Sequence, residues 1–208
     1  MSERTEVLRL VDPVALADLG RYAGRARALD TQGAMRLQAS GEVLAAWVGV
    51  LEGRGILSEG TVLGLRTFAL ARPARCDVVV PLGAVTDRTA RPDGTGDLRV
   101  PPTRALAPWS ALTPPRSGWE PGGRLPADDL ARVAREGLAE VGDAVRERGA
   151  AAGFVRDRVW GREVAGVRAG GAFAAFALGF LAPGSSVTVL RSARWTRLTA
   201  PGGHVLMR

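Results

Sequence analysis

The sequence predicts an α+β protein: an antiparallel β-meander with helices packed on it, closed by a C-terminal three-strand meander. Three observations carry this. Short apolar runs punctuated by turn residues fill residues 34–80, spaced too closely for the crossover helices that parallel strands need. Two helices announce their starts with proline, Pro13 after Asp12 and Pro126 before an amphipathic run. Residues 187–207 read as three short strands joined by tight turns.

Asp12-Pro13 is an N-cap acid followed by proline at the first helical position. The helix it opens runs to about Leu29, with Val14, Leu16, Leu19 and Tyr22 as apolar candidates. Four strands follow, over residues 35–38, 43–51, 62–70 and 76–80, with turns expected at Ser40-Gly41, at Gly53-Arg54-Gly55 and at Pro73. Residues 91–126 hold eight prolines and no periodicity, which reads as a long loop of polyproline II character. Trp109 and Trp119 within it imply that the loop is docked rather than solvated.

The helix opened by Pro126 extends to about Arg148, with Leu130, Val133, Leu138, Val141 and Val145 as its stripe. Asp128 and Asp129 fall on its first turn, where acids stabilise the helix dipole. Another helix is expected from Phe154 to about Ala165. The longest uncharged stretch, residues 169–190, is broken at Pro183 and Gly184. That leaves about 14 apolar residues where a bilayer needs about 20, so a buried helix over residues 169–182 is the reading. Gly171, Ala175 and Gly179 form a small-residue stripe on it, and Phe173, Phe176 and Phe180 are expected in the core.

The closing strands span residues 187–191, 194–199 and 204–207. Tight turns at Ser192-Ala193 and at residues 200–203 set Val187 opposite Leu198 and Val205. One face then carries Val187, Val189, Leu198, Val205 and Met207, the other Trp195, Arg197, His204, Leu206 and Arg208. The organisation expected is one globular domain in three stretches. Residues 1–90 supply a helix plus antiparallel strands, 91–126 the docked Pro-rich loop, and 127–208 helices plus the final meander.

The segment at residues 112–119 (Leu-Thr-Pro-Pro-Arg-Ser-Gly-Trp), the extended run 62–80 and the closing Arg194-Trp-Thr-Arg-Leu198 resemble an uncharacterised protein family of high-GC actinobacteria. The resemblance covers most of the chain and implies one shared architecture in a bacterial cytoplasm. It brings no activity with it.

Composition bounds the chemistry. Hydrophobic residues make up 46% of the 208 and charged residues 24%, the balance of a chain that buries a core. All 28 basic residues are arginine; lysine and asparagine are absent, and Ile56, Tyr22 and His204 are each the single residue of their type. That usage marks a GC-rich genome. Cys76 is alone and cannot form an internal disulfide, as in a reducing compartment. Residues 1–13 carry Glu3, Arg4, Glu6, Arg9 and Asp12 with no apolar run, unlike a secretory signal. A soluble cytoplasmic protein is expected.

Without lysine there is no Walker A loop of the usual kind and no Schiff base. One histidine and one cysteine cannot build a zinc-finger or zincin centre, and no cofactor is implied. His204 follows a Gly-Gly turn on a sheet face, and Cys76 opens an apolar strand; both read as structural. Gly94-Thr95-Gly96-Asp97 has no strand leading in and reads as a turn. Acid–base work by carboxylates with arginine is the one enzyme chemistry left open.

Charge is uneven. Up to Glu163 there are 23 arginines against 21 acids; beyond it lie five arginines and no acid. Arg191, Arg194, Arg197 and Arg208 around Trp195, with Arg116 and Trp119 from the loop, form the candidate binding surface. A plain alternative is an edge sheet covered by arginine stems, with Trp195 half-buried beneath the loop. Failure of the catalytic templates favours a non-enzymatic binding or adaptor protein, with a protein partner or a second copy of itself. The other reading is nucleic-acid binding, guanidinium to phosphate and Trp195 to a base, with no membrane association.

Overall fold

The computed structural model describes residues 7–53, 55, 57–90, 94–149 and 153–208. Arg54, in an expected turn, and Pro92 lie outside the described residues, as do residues 1–6. The chain divides into two compact units, Met1–Gly49 with Leu65–Leu112, and Val50–Gly64 with Thr113–Arg208.

The first unit contains β1 (Val7–Arg9), α1 (Pro13–Leu29), most of β2 (Ala34–Leu51) and β3 (Val62–Pro81), then α2 (Leu82–Thr89) and β4 (Asp97–Arg99). In α1 the Ala15 N–H donates to Asp12 Oδ1 at 2.7 Å, satisfying one of the free donors of the first turn. Leu16, Leu19, Tyr22, Ala23 and Ala26 are its buried face, whereas Val14 points to solvent.

Where four short strands were expected there are two long ones, of 18 and 20 residues. Buried positions along β2 run Met35, Leu37, Ala39, then Leu44, Ala46, Val48. The parity changes across Gly41, whose φ is +62°, so the strand absorbs an extra residue there and continues. Pro73 likewise sits inside β3, in its exposed stretch, rather than ending it. Trp109 is buried against Gly49, where a Cβ would come within 2.6 Å of the indole. Arg36 grips Asp77 through Nε and Nη2 at 2.6 Å each, and its Nη1 donates to the Ser110 carbonyl.

The second unit adds β5 (Glu120–Pro126), α3 (Ala127–Arg148), α4 (Gly153–Gly161), β6 (Glu163–Val164), β7 (Val167–Arg168), α5 (Ala169–Ala177), β8 (Ser186–Ser192), β9 (Trp195–Ala200) and β10 (Gly203–Met207). The main sheet has the order β2-β3-β10-β9-β8-β5; the pairs among β5, β8, β9 and β10 are antiparallel. The architecture is α+β with helices on a large antiparallel sheet, as the sequence predicts.

β5 lies in the segment read as loop. Its prolines remove N–H groups and its two glycines carry no pattern, yet an edge strand tolerates both. The register with β8 shifts between Pro121 and Gly123, and Gly123 has φ +107°. In α3, Leu130 is buried, but Leu138 and Val145 stay exposed. Asp128 accepts from the Gly184 N–H at 3.0 Å.

α5 ends at Ala177, five residues sooner than expected. The Phe180 N–H reaches the Ala175 carbonyl and the Gly179 N–H reaches Phe176, with Gly179 at φ +71°. This is a Schellman cap, so Gly179 stops the helix rather than extending a stripe. Phe180 is 1% exposed. Phe173 is half-buried and stacks on Trp160, centroids 4.4 Å apart, and Phe176 is half-buried under the Arg135 guanidinium at 5.5 Å.

In the closing meander the turn is Ala193-Arg194, so Val189, not Val187, pairs with Leu198, which faces Val205. The slip is two residues, and an even slip keeps every side chain on its face. Val187, Val189, Leu198, Val205 and Met207 are all buried. Among the described residues no helix is long and apolar enough to cross a membrane.

Phe180→Ala is expected to lose about 3–5 kcal/mol of unfolding free energy in denaturant titration, and Phe176→Ala distinctly less. Equal losses would show that the helix continues past Ala177 with both rings in the core.

Candidate functional site

The candidate site lies in the second unit, on the face of β9 and β10 that turns away from α5. Trp195, Arg197, His204, Leu206 and Arg208 alternate onto this face. Residues 113–119 run over it. Trp119 closes this loop on itself by donating from Nε1 to the Pro115 carbonyl at 3.0 Å. The Arg197 guanidinium sits 4.7 Å from the Trp119 ring centroid, and that of Arg208 lies 5.9 Å from the Trp195 centroid.

Two hollows adjoin here, the wider on this face and the narrower beside Thr196 and Met207, which point to the α5 side. The wider, of about 480 Å³, is floored by Pro114, Pro115 and Trp195 and rimmed by Arg116, Arg194 and Arg208. The narrower, of about 180 Å³, is walled by Arg168, Arg191, Arg194 and Arg208, with Glu163 and Gly166 at its margin. Arg194 and Arg208 border both. Of the sequence candidates, Arg116, Arg194, Trp195 and Arg208 therefore meet at one hollow, and Arg191 faces the other. Arg197 and Trp119 are engaged with each other and form the support beneath.

Trp195 is 7% exposed. Its ring lines the wider hollow from below. Burial lowers the pKa of Arg197 from its ordinary value. The Nε atoms of Arg197 and Arg208 are buried and make no hydrogen bond among the described residues.

Sequence reasoning missed Arg168 and Glu163. They enter through a hairpin, β6 to β7, turned by Ala165 and Gly166 at φ +53° and +77°, the two positive-φ positions of a tight hairpin turn. The signal was Ala-Gly between two valines, too faint to separate from a helix end. Among the described residues no group of His, Cys, Asp and Glu could hold a metal ion. An apolar floor with a guanidinium rim suits recognition of an acidic or carboxylate-bearing ligand.

The fold resembles that of the sliding clamps. The chain aligns over 98% of its length with the DNA polymerase III subunit beta of Pseudomonas aeruginosa, at 13% identity and TM-score 0.55. It aligns likewise with a putative DNA polymerase III beta subunit from Eubacterium rectale, at 7% and 0.58, and with the pol III beta of Caulobacter crescentus, at 10% and 0.51. It spans 64–65% of the length of those chains. At these identities the likeness is one of fold. The chain belongs to the family described as Domain of unknown function (DUF8010), matched over residues 3–111, and residues 114–208 match Domain of unknown function (DUF8185). No curated protein sequence matches it.

His204 supplies a pH test of this face. Its Nδ1 lies 3.1 Å from Thr199 Oγ1; burial first, and the Arg197 charge second, hold its pKa below the ordinary 6.5. The unfolded chain thus takes up the proton before the folded one. Stability is unaffected well above about pH 6.5 and falls as pH drops below it. His204→Gln should flatten the decline in unfolding free energy between about pH 7.5 and about pH 5; an unchanged slope would place the imidazole in solvent.

Proposed function

We propose that this protein is a non-enzymatic interaction scaffold that holds a protein partner by a short segment seated in the 480 Å³ hollow. The observation that supports it is the pairing of an apolar floor, Pro114, Pro115 and Trp195, with the arginine rim of Arg116, Arg194 and Arg208. Such a surface fits an apolar side chain followed by acidic residues, the apolar group on the floor and the carboxylates on the rim. Prolines keep the floor rigid, so little entropy is lost on docking. The clamp-like fold supports the reading, because the neighbours are named as polymerase beta subunits and as a sliding clamp. A single cysteine and the absence of lipid-spanning helices among the described residues fit a place in the cytoplasm.

The arginine excess and the DNA polymerase neighbours favour one second reading, direct contact with DNA phosphates. Affinity capture from the native host, with and without nuclease, separates the two. The scaffold reading expects a discrete protein that survives nuclease and whose affinity falls about tenfold or more with Arg194→Ala or Arg116→Ala. Recovery that vanishes with nuclease, together with saturable binding of duplex at about 150 mM salt, would replace it with the DNA reading. Capture of another copy of the chain, weakened by the same substitutions, would make the partner the protein itself.

A further inference from the structure

We propose that the narrower hollow, between the β6–β7 hairpin and the edge of the closing meander, is a binding site for a phosphate-type oxyanion. Four arginines from separate parts of the chain line about 180 Å³: Arg168 on β7, Arg191 on β8, Arg194 in the β8–β9 turn and Arg208 after β10. Glu163 is the one acid at its margin. Among the described residues, none of the four is in an ion pair with a side-chain carboxylate. Like charges held together repel, and a bound anion relieves that repulsion.

Two of the four, Arg191 and Arg168, are also held in place before any ligand arrives. Arg191 donates from Nη2 to the Gly166 carbonyl at 2.6 Å, and Arg168 from Nη1 to the Arg208 carbonyl at 3.4 Å. The Arg208 backbone is itself fixed: its carbonyl accepts from the Gly60 N–H at 2.8 Å, and its N–H donates to the Thr61 carbonyl at 3.0 Å. A guanidinium has five N–H donors, so most remain to face the hollow.

The excess of arginine over acid at this hollow suits a dianion better than a single carboxylate. Tetrahedral oxygens can accept from several guanidinium forks at once. A phosphate monoester group meets both conditions, whether it arrives as free phosphate or on a phosphorylated side chain. This inference stands apart from the partner reading, because Arg168 and Arg191 border only the narrow hollow and Arg116 only the wide one.

The experiment is isothermal titration of the whole chain in chloride buffer at about 150 mM salt with inorganic phosphate, acetate, and a serine peptide with and without phosphate. Saturable binding of phosphate is expected, with acetate and the unmodified peptide silent. Arg168→Ala and Arg191→Ala should each weaken it about tenfold or more, with Arg116→Ala unchanged and thermal unfolding of all three near that of the parent. A phosphopeptide that binds more tightly than inorganic phosphate assigns the site to a modified protein; equal affinity assigns it to free phosphate. No saturable binding of either phosphate source, or an equal loss in Arg116→Ala, overturns the proposal.

Discussion

The contact between the Arg197 guanidinium and the Trp119 ring holds the candidate surface in its present form. At 4.7 Å from the centroid and partly buried, such a pair contributes about 1 kcal/mol. It pins residues 113–119 to the sheet, and the Trp119 N–H is then committed to the Pro115 carbonyl. Three consequences follow. Trp195 becomes a floor, Arg197 becomes a support, and the guanidinium groups left around the wider hollow are those of Arg116, Arg194 and Arg208.

The excess of arginine over acid is largest beyond Glu163. In the first unit Arg9, Arg36 and Arg66 are matched by Asp97, Asp77 and Asp18. In the second, Glu140 takes both Arg162 and Arg158, and the Arg162 hydrogen bonds lead in holding its carboxyl below the ordinary carboxylate range. Beyond Glu163 the sequence supplies arginines without acids. The fold gathers these around two small hollows rather than spreading them along a face. That distribution argues for a compact acidic ligand over a long polyanion.

Much of the fold was legible because its signals are short in range. Asp12-Pro13 and Pro126 mark helix starts within one turn, and strand alternation fixed which face of the closing meander is buried even though the turn is displaced by two residues. What could not be read depends on partners distant in sequence. Gly41 and Pro73 look like breaks until a neighbouring strand carries the ladder past them. The glycine-proline run of β5 becomes a strand only at the edge beside β8. Gly179 could be a packing contact or a helix stop, and the choice rests on hydrogen bonds from Gly179 and Phe180. Of the site, the arginines and tryptophans were visible, but Arg168 is brought to Arg191 and Arg208 by a two-residue turn at Ala165 and Gly166 that periodicity does not show.

The central claim is that residues 113–119 cover the arginine face and shield Trp195. Hydroxyl-radical footprinting read by mass spectrometry measures this directly, with Phe154, 73% exposed, as the internal reference. Trp195 should be oxidised more slowly than Phe154 despite the more reactive indole, and Arg197→Ala should raise its rate. Oxidation of Trp195 in the parent protein as fast as in that variant would contradict the account.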